Sequence, residues 1–335
     1  MKGLLVMIFV LVAAQSQAQQ LVAIGDRFFV ASPATAKMIS RDGTPFWTGE
    51  GVRSPTATIV GASRVAVLDA LRNEAAVFDL ASGSRTLVPT AETPIGGYFA
   101  GNDLVVVARD SRSIERIGVD GSRTTQPLGL DPAFVRIAGS TVVVYSRGDG
   151  RLQLFDASSL RPLRETRVAP FASDFEIDAT TAYLTYPREA IVRQFDLTSL
   201  RTAGDLRVGA VPVDLTFASG GSTLSARSLA IADPSARRIW LLEGRQSIAQ
   251  AFTRGFIRGL LGLGLTSNRA RQFPSGIDRV FSHDGRLIAY DTSTGTIYRI
   301  TRKKVSVVTR AIPPDAFTMT ANGVAWLESG TLRME

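Results

Sequence analysis

The chain has 335 residues, 45% of them hydrophobic and 20% charged, which excludes a disordered polypeptide and allows a large buried core. With no cysteine and one histidine it has no disulfides, no thiolate metal site and no His/His or His/Cys metal spacing. The net charge is +8, and 34 of the 38 basic residues are arginine, since only Lys2, Lys37, Lys303 and Lys304 are lysine. The arginines form no long basic run, so the charge does not mark a nucleic-acid surface, although attraction to an anionic membrane surface stays open.

At the start of the chain, Lys2 precedes an apolar run from Leu4 to Ala14 and then QSQA, with Ser16 and Ala18 placed for cleavage after Ala18. The run is too short to cross a bilayer and is followed by polar residues, as in a secretory signal peptide. Residues 1–18 are expected to be removed, leaving residues 19–335 as one exported domain, periplasmic or extracellular. No later stretch reaches the roughly 18 to 20 apolar residues of a membrane helix.

From there on one grammar repeats. Near-continuous apolar stretches recur as RFFVAS, RVAVLDA, DLVVVAR, TVVVYSR, TAYLTY, SLAIAD, LIAYD and VAWLE, eight in all. Each fits a strand buried on both faces. A following strand ends in an acidic turn (ISRDG, VFDLASG, IGVDG, LFDASS, QFDLTS), with Asp42, Asp79, Asp120, Asp156 and Asp196 spaced by 37, 41, 36 and 40 residues. An Asp at such a turn accepts hydrogen bonds from the amide two residues on. A period near 40 with four short strands per unit predicts an all-β fold, a β-propeller of four-stranded antiparallel blades. Eight units predict eight blades, with seven and a composite closing blade as the alternative. The last unit stops after a third strand, so closure by the termini is expected, with the strands around Val324 to Leu332 pairing to N-terminal strands.

SHDGRLIAYD resembles the SPDG-type turn and following strand of TolB-like and YVTN-type propeller repeats, and DTSTG resembles the D-x-x-T-G turn of quinoprotein-like repeats. The resemblance implies blade architecture and no single activity. The adjacent-cysteine ring of quinoprotein dehydrogenases has no counterpart in a cysteine-free chain. Lactonase-type propellers of similar build imply a catalytic Ca²⁺ held by Glu, Asn and Asp, but Asn73, Asn102, Asn268 and Asn322 do not fall convincingly at a channel mouth.

Three features remain for function. Prolines mark the loops leading into the first strands, and Asp131, Asp174, Asp214, Asp278 and Asp315 lie beside them, followed by Glu176 and Asp178. First strands line a propeller's channel, so Asp174, Asp214 and Asp278 are metal-ligand candidates for a hard cation such as Ca²⁺. The competing reading is a shared structural bond from each Asp to a neighbouring blade's backbone N–H. Second, residues 251–272 form an apolar and basic insertion between the sixth and seventh blades. There Phe252, Phe256, Leu260 and Leu263 recur at helical spacing beside Arg254 and Arg258, either as an exposed docking ridge or as a plug folded onto the propeller. Third, charged loops between second and third strands carry Arg72, Arg112, Arg147, Arg188 and Arg237 on the same face as the lead-in loops. His283, the lone histidine, falls in a turn between a first and a second strand, where a structural role is expected.

The preferred reading is an exported, non-catalytic propeller that binds a protein, glycan or envelope component through the lead-in face and the insertion, without a cofactor. The alternative is a Ca²⁺-dependent lactonase-type hydrolase.

Overall fold

The computed structural model describes residues 19–208, 211–218, 228–243, 248–253, 270–283, 286–301, 304–313, 316–320 and 323–335. They form eight antiparallel sheets in a ring, each a meander in chain order. The count is eight blades, and the seven-bladed alternative falls away. Seven blades have four strands and the eighth, among the described residues, has three.

The eight apolar stretches are the second strands, and the two-residue period of a strand explains their composition. In blade four, Val142 and Val144 belong to a cluster with Val105 and Val107 of blade three, whereas Val143 and Tyr145 join Phe175 and Leu184 of blade five. Both faces of a second strand therefore meet a neighbouring sheet. A polar alternation would leave unpaired groups between blades.

The acidic turns behave as their sequence suggests. Asp42, Asp79, Asp120, Asp156 and Asp196 each accept the amide two residues on, at 2.9–3.1 Å. Hydrogen bonds to the carboxylates hold them below the usual range, led by the Ser40 hydroxyl for Asp42 and the Ser82 amide for Asp79.

A second repeated device was not visible in the sequence. The residue immediately before the third strand has left-handed backbone in seven blades: Asn73, Arg112, Gly150, Ala190, Arg237, Gly295 and Gly330, with φ between 47° and 81°; in the first six the following bond is made. Its carbonyl accepts an N–H from the residue that follows the fourth strand or opens the next loop: Thr90, Leu128, Val168, Val208, Phe273 and Ile312, at 2.7–3.1 Å. This bond pins the outer strand at its end. The position tolerates Asn, Gly, Ala or Arg because the constraint falls on the backbone and no side-chain type is required.

The ring closes by contact of faces. Leu21, Phe28 and Val30 of blade one share a cluster with Phe317, Val324 and Leu327 of blade eight, and Ala23 N donates to Thr318 Oγ1 at 3.4 Å. The termini thus meet, and the pairing of the last strands with a strand from residues 1–18 lies outside the described residues. The final strand, Thr331–Met334, pairs with Gly323–Glu328 alone among the described strands, and Gln20–Ile24 is the first strand of blade one. Among the described residues the ring is closed by side-chain burial.

The insertion also differs from its expected place. It interrupts blade six between the third and fourth strands, and Ala270–Gln272, counted with it above, is that fourth strand, paired with Arg238 to Trp240. Residues 248–253 are helical. Among the described residues no helix is long and apolar enough to cross a membrane.

One glycine is held by packing. A Cβ on Gly97, in the first strand of blade three (Pro94–Ala100), would lie 2.0 Å from the carbonyl oxygen of Val105 in the paired strand. Backbone cannot yield as a side chain does, so Gly97→Ala should destabilise by about 3 kcal/mol, read as a lower midpoint in chemical denaturation with an unchanged slope.

Candidate binding site in the central channel and on the lead-in face

The first strands of blades one and four to eight enclose a cavity of about 990 Å³. Asp174, Asp214 and Asp278 all line it, so the structure brings the three together in one channel. What they do there is specific. Asp174 Oδ2 accepts Leu215 N at 2.8 Å, and Asp214 Oδ2 accepts Val280 N at 2.6 Å, each across to the next blade. Asp278 Oδ1 accepts Thr292 N of its own blade at 3.1 Å. Asp174 and Asp214 act as blade-to-blade clips, and Asp278 ties a turn of its own blade.

Arg136 and Arg279 both line the cavity, and Arg136 lies 3.4 Å from Glu176 and 4.0 Å from Asp174. Burial pushes the Glu176 carboxyl above its usual range, against the pull of Arg136. Asp214 is displaced upward more strongly, by burial first and by the negative charge of Asp174 second. Among the described residues no group of three or more His, Cys, Asp or Glu side chains is placed to hold a metal ion. Asn73 Oδ1 accepts Thr93 N at 2.9 Å as a loop clasp, and neither Asn73 nor Asn102 lines the cavity. Asp315, Asn268 and Asn322 lie outside the described residues.

The raised Asp214 pKa has a stability consequence with a definite sign. Between the ordinary carboxylate range and the raised folded value, the folded chain keeps a proton that the unfolded chain has released, so stability falls as pH rises through that window. Asn at this position mimics the protonated acid and retains an acceptor for Val280 N. Asp214→Asn should therefore melt above the parent at pH 7.5, by about 1.4 kcal/mol per pH unit of displacement, with the gap closing towards pH 4. A variant that melts lower at both pH values would mean that the ionised carboxylate is the form the fold uses.

His283 is the last residue of Arg279–His283, the first strand of blade seven. Its side chain is exposed and borders the cavity at the end away from Asp278. At about 3.3 Å per residue the strand separates these two by the depth of the sheet.

On the lead-in face the loop arginines take different places. Arg147 pairs with Asp131 at 2.9 Å, and Arg109 approaches the same carboxylate at 3.5 Å. Arg112, Arg188 and Arg237 are exposed. Arg112 and Arg237 occupy the left-handed position described above, so their place in the repeat follows from the backbone. Sequence reasoning missed the apolar residues beside Arg147. Phe171 is 59% exposed and Leu130 is 45% exposed. Phe171 N donates to Arg147 O, and Gly148 N to Leu130 O. Phe171 also has φ 64°, as do the lead-in residues Thr93, Asp131 and Ala311 with φ 56–59°. Those three loops place Thr, Asp or Ala in such backbone, whereas this loop exposes a Phe. The signal was present in the stretch APFAS, where a large aromatic follows the loop proline.

Of the insertion residues, Phe252 is 1% exposed and packs with Leu206, Val208 and Trp240, its ring 5.5 Å from that of Tyr183. It is a core residue and not part of an exposed ridge. Arg254, Phe256, Arg258, Leu260 and Leu263 lie outside the described residues.

Ring, channel and loops define an eight-bladed β-propeller. No protein-family model matches the chain, and no curated protein sequence matches it either. Solved structures do. The computationally designed Ika8 protein is similar with a TM-score of 0.69 at 12% identity, over 94% of this chain and 95% of its own. BamB from Moraxella catarrhalis is similar with a TM-score of 0.64 at 14% identity, over 95% and 93%. Streptogramin B lyase is similar at 0.58 and 12%, over 84% and 94%. At such identities the likeness is one of fold, and the neighbours are propellers of the TolB and quinoprotein-like kind.

Proposed function

We propose that this is an exported, non-catalytic propeller that binds a protein through its lead-in face. The observation that carries the reading is the use of Asp174 and Asp214, whose carboxylates are bonded to the amides of Leu215 and Val280 in the next blade and do not converge on a common point. A catalytic Ca²⁺ needs several oxygens within about 2.3 to 2.6 Å of one centre. The contact surface is centred on Phe171, Leu130 and Arg147, where an exposed Phe and an Arg are residue types enriched at interface cores. Export is supported by the N-terminal pattern and by the first strand starting at Gln20, so that cleavage after Ala18 leaves blade one whole. The fold itself is shared by a designed protein and a lyase, and it favours neither reading.

A photo-crosslinking side chain placed at position 171 should give one discrete adduct in the exporting cell, and the same group at Val307, exposed on an outer strand, should give none. Equal labelling from both positions would sink the lead-in face. Titration with Ca²⁺ addresses the hydrolase alternative, because a bound ligand raises the melting temperature by mass action. No rise is expected at millimolar Ca²⁺, and a rise of several degrees that is lost in Asp174→Asn would favour the hydrolase.

A further inference from the structure

We propose that Phe171 is a preformed anchor for the apolar pocket of a folded protein partner, a pocket whose rim carries carboxylates opposite Arg147 and Arg188. The proposal rests on the lead-in-face reading above and names the kind of surface that meets that face.

The anchor is held from below. Two buried tyrosines of adjacent blades converge on its loop: the hydroxyls of Tyr145 in blade four and Tyr186 in blade five both donate to Ala169 O, at 3.0 and 2.9 Å. The Tyr145 oxygen in turn accepts Ala172 N at 3.1 Å. Burial pushes both phenols above their usual range, so they stay protonated and keep donating. Val168 N and Phe171 N donate to Gly150 O and Arg147 O of blade four, and Ser173 N donates to Thr185 O of blade five. Every residue from Val168 to Ser173 is thus tied through its backbone except Pro170, whose ring fixes its own φ. At the tip of this loop stands an exposed aromatic ring on left-handed backbone, a conformation that disfavours a bulky side chain. The ring is displayed in one place, and a partner that takes it has little left to order.

Shape and charge select the occupant. A ring that projects from a rigid loop, with exposed Leu130 beside it, is matched by a concave apolar pocket. Arg147 and Arg109 share one carboxylate, Asp131, so cations outnumber it beside the ring, and Arg188, two residues past Tyr186, is exposed on the same face. Positive charge around an apolar knob is complemented by carboxylates around the pocket. An anionic lipid surface fits less well. Glu92, Asp110 and Glu189 are also exposed on this face, a mixed pattern that a uniform negative surface repels in part, and one ring buries little apolar area in a bilayer.

The test uses the full chain in the exporting cell, with a photoreactive diazirine analogue of leucine at position 130 as reporter, so that Phe171 itself can be varied. One discrete protein adduct is expected. Phe171→Ala should reduce its yield by about tenfold or more, as for a hot-spot residue, at a melting temperature no lower than the parent's. Tyr186→Phe keeps the ring and removes one clamp. It should reduce the yield in the parent and have no further effect in Phe171→Ala, whereas a general loss of stability would act in both backgrounds. Mapped by mass spectrometry, the partner residues labelled from position 130 should be apolar, and those labelled from a diazirine at position 188 should lie beside Asp or Glu. No adduct from position 130 or 171 would remove the lead-in-face reading and the anchor with it. A discrete adduct that Phe171→Ala leaves unchanged would keep that reading and overturn the anchor. Equal losses from Tyr186→Phe in both backgrounds, adducts to lipid, or labels scattered along an unfolded partner segment would also overturn it.

Discussion

Deletion of residues 323–335 should leave a chain with no cooperative thermal transition. The deletion removes two strands of blade eight and with them Val324, Ala325 and Leu327, all 4% exposed or less, from the cluster that joins blades seven, eight and one. Each buried aliphatic side chain of this size contributes about 1.5 to 3 kcal/mol. Tyr290 and Phe317 would be uncovered as well. The sum for these large side chains, about 6 to 12 kcal/mol, is comparable to the whole net stability of a domain, about 5 to 15 kcal/mol. Loss of the near-ultraviolet circular dichroism signal and of a sharp melting endotherm is the expected readout. A soluble truncation that melts with the parent would show that the remaining seven blades close on themselves.

Phe252→Ala should lower stability by about 3 to 5 kcal/mol, the usual cost of emptying a buried aromatic site. Phe252 joins the helix at 248–253 to the junction of blades five and six: it packs on Leu206 and Val208 at the outer strand of blade five and on Trp240 of blade six. At about 2 to 4 °C per kcal/mol this is a drop of about 6 °C or more in melting temperature. The variant also separates two roles for the insertion. If residue 252 served a docking ridge, truncation would weaken binding and leave melting unchanged. Unchanged melting would therefore show that the helix is not anchored through this ring.

The sequence was most informative where a local cause repeats. The double-sided burial of second strands leaves runs such as VVV at 105–107, and the acidic turns leave an Asp at a fixed phase, so blade number and the order of strands within each blade could be read directly. Closure was harder, because the last unit reads as three strands whatever supplies a fourth, and the packing that joins blade eight to blade one at Leu21 and Phe317 carries no period in the sequence. The channel aspartates were found by their recurrence beside loop prolines. Their use could not be found that way, since a carboxylate that clips two blades and one that holds a cation have the same sequence signature. Asp174 and Asp214 are told apart from ligands by the amides of Leu215 and Val280, partners about 40 and 65 residues away in the chain. Phe171 was passed over because a single aromatic in a loop carries no period.

The contact between blades one and eight differs from the other seven junctions in one respect: among the described residues, no loop of chain crosses it. Everywhere else, neighbouring blades that part company remain tethered by a lead-in segment, which keeps their effective concentration high and favours rapid reclosure. At this junction, among the described residues, the cluster around Leu21, Phe28, Phe317 and Val324 and the Ala23–Thr318 bond resist separation. Sub-global opening of the ring should therefore start here, as a rupture that lets the circle spring into an arc, and amide hydrogens of Gln20–Ile24 and Phe317–Thr320 should exchange together and ahead of those in the tethered blades.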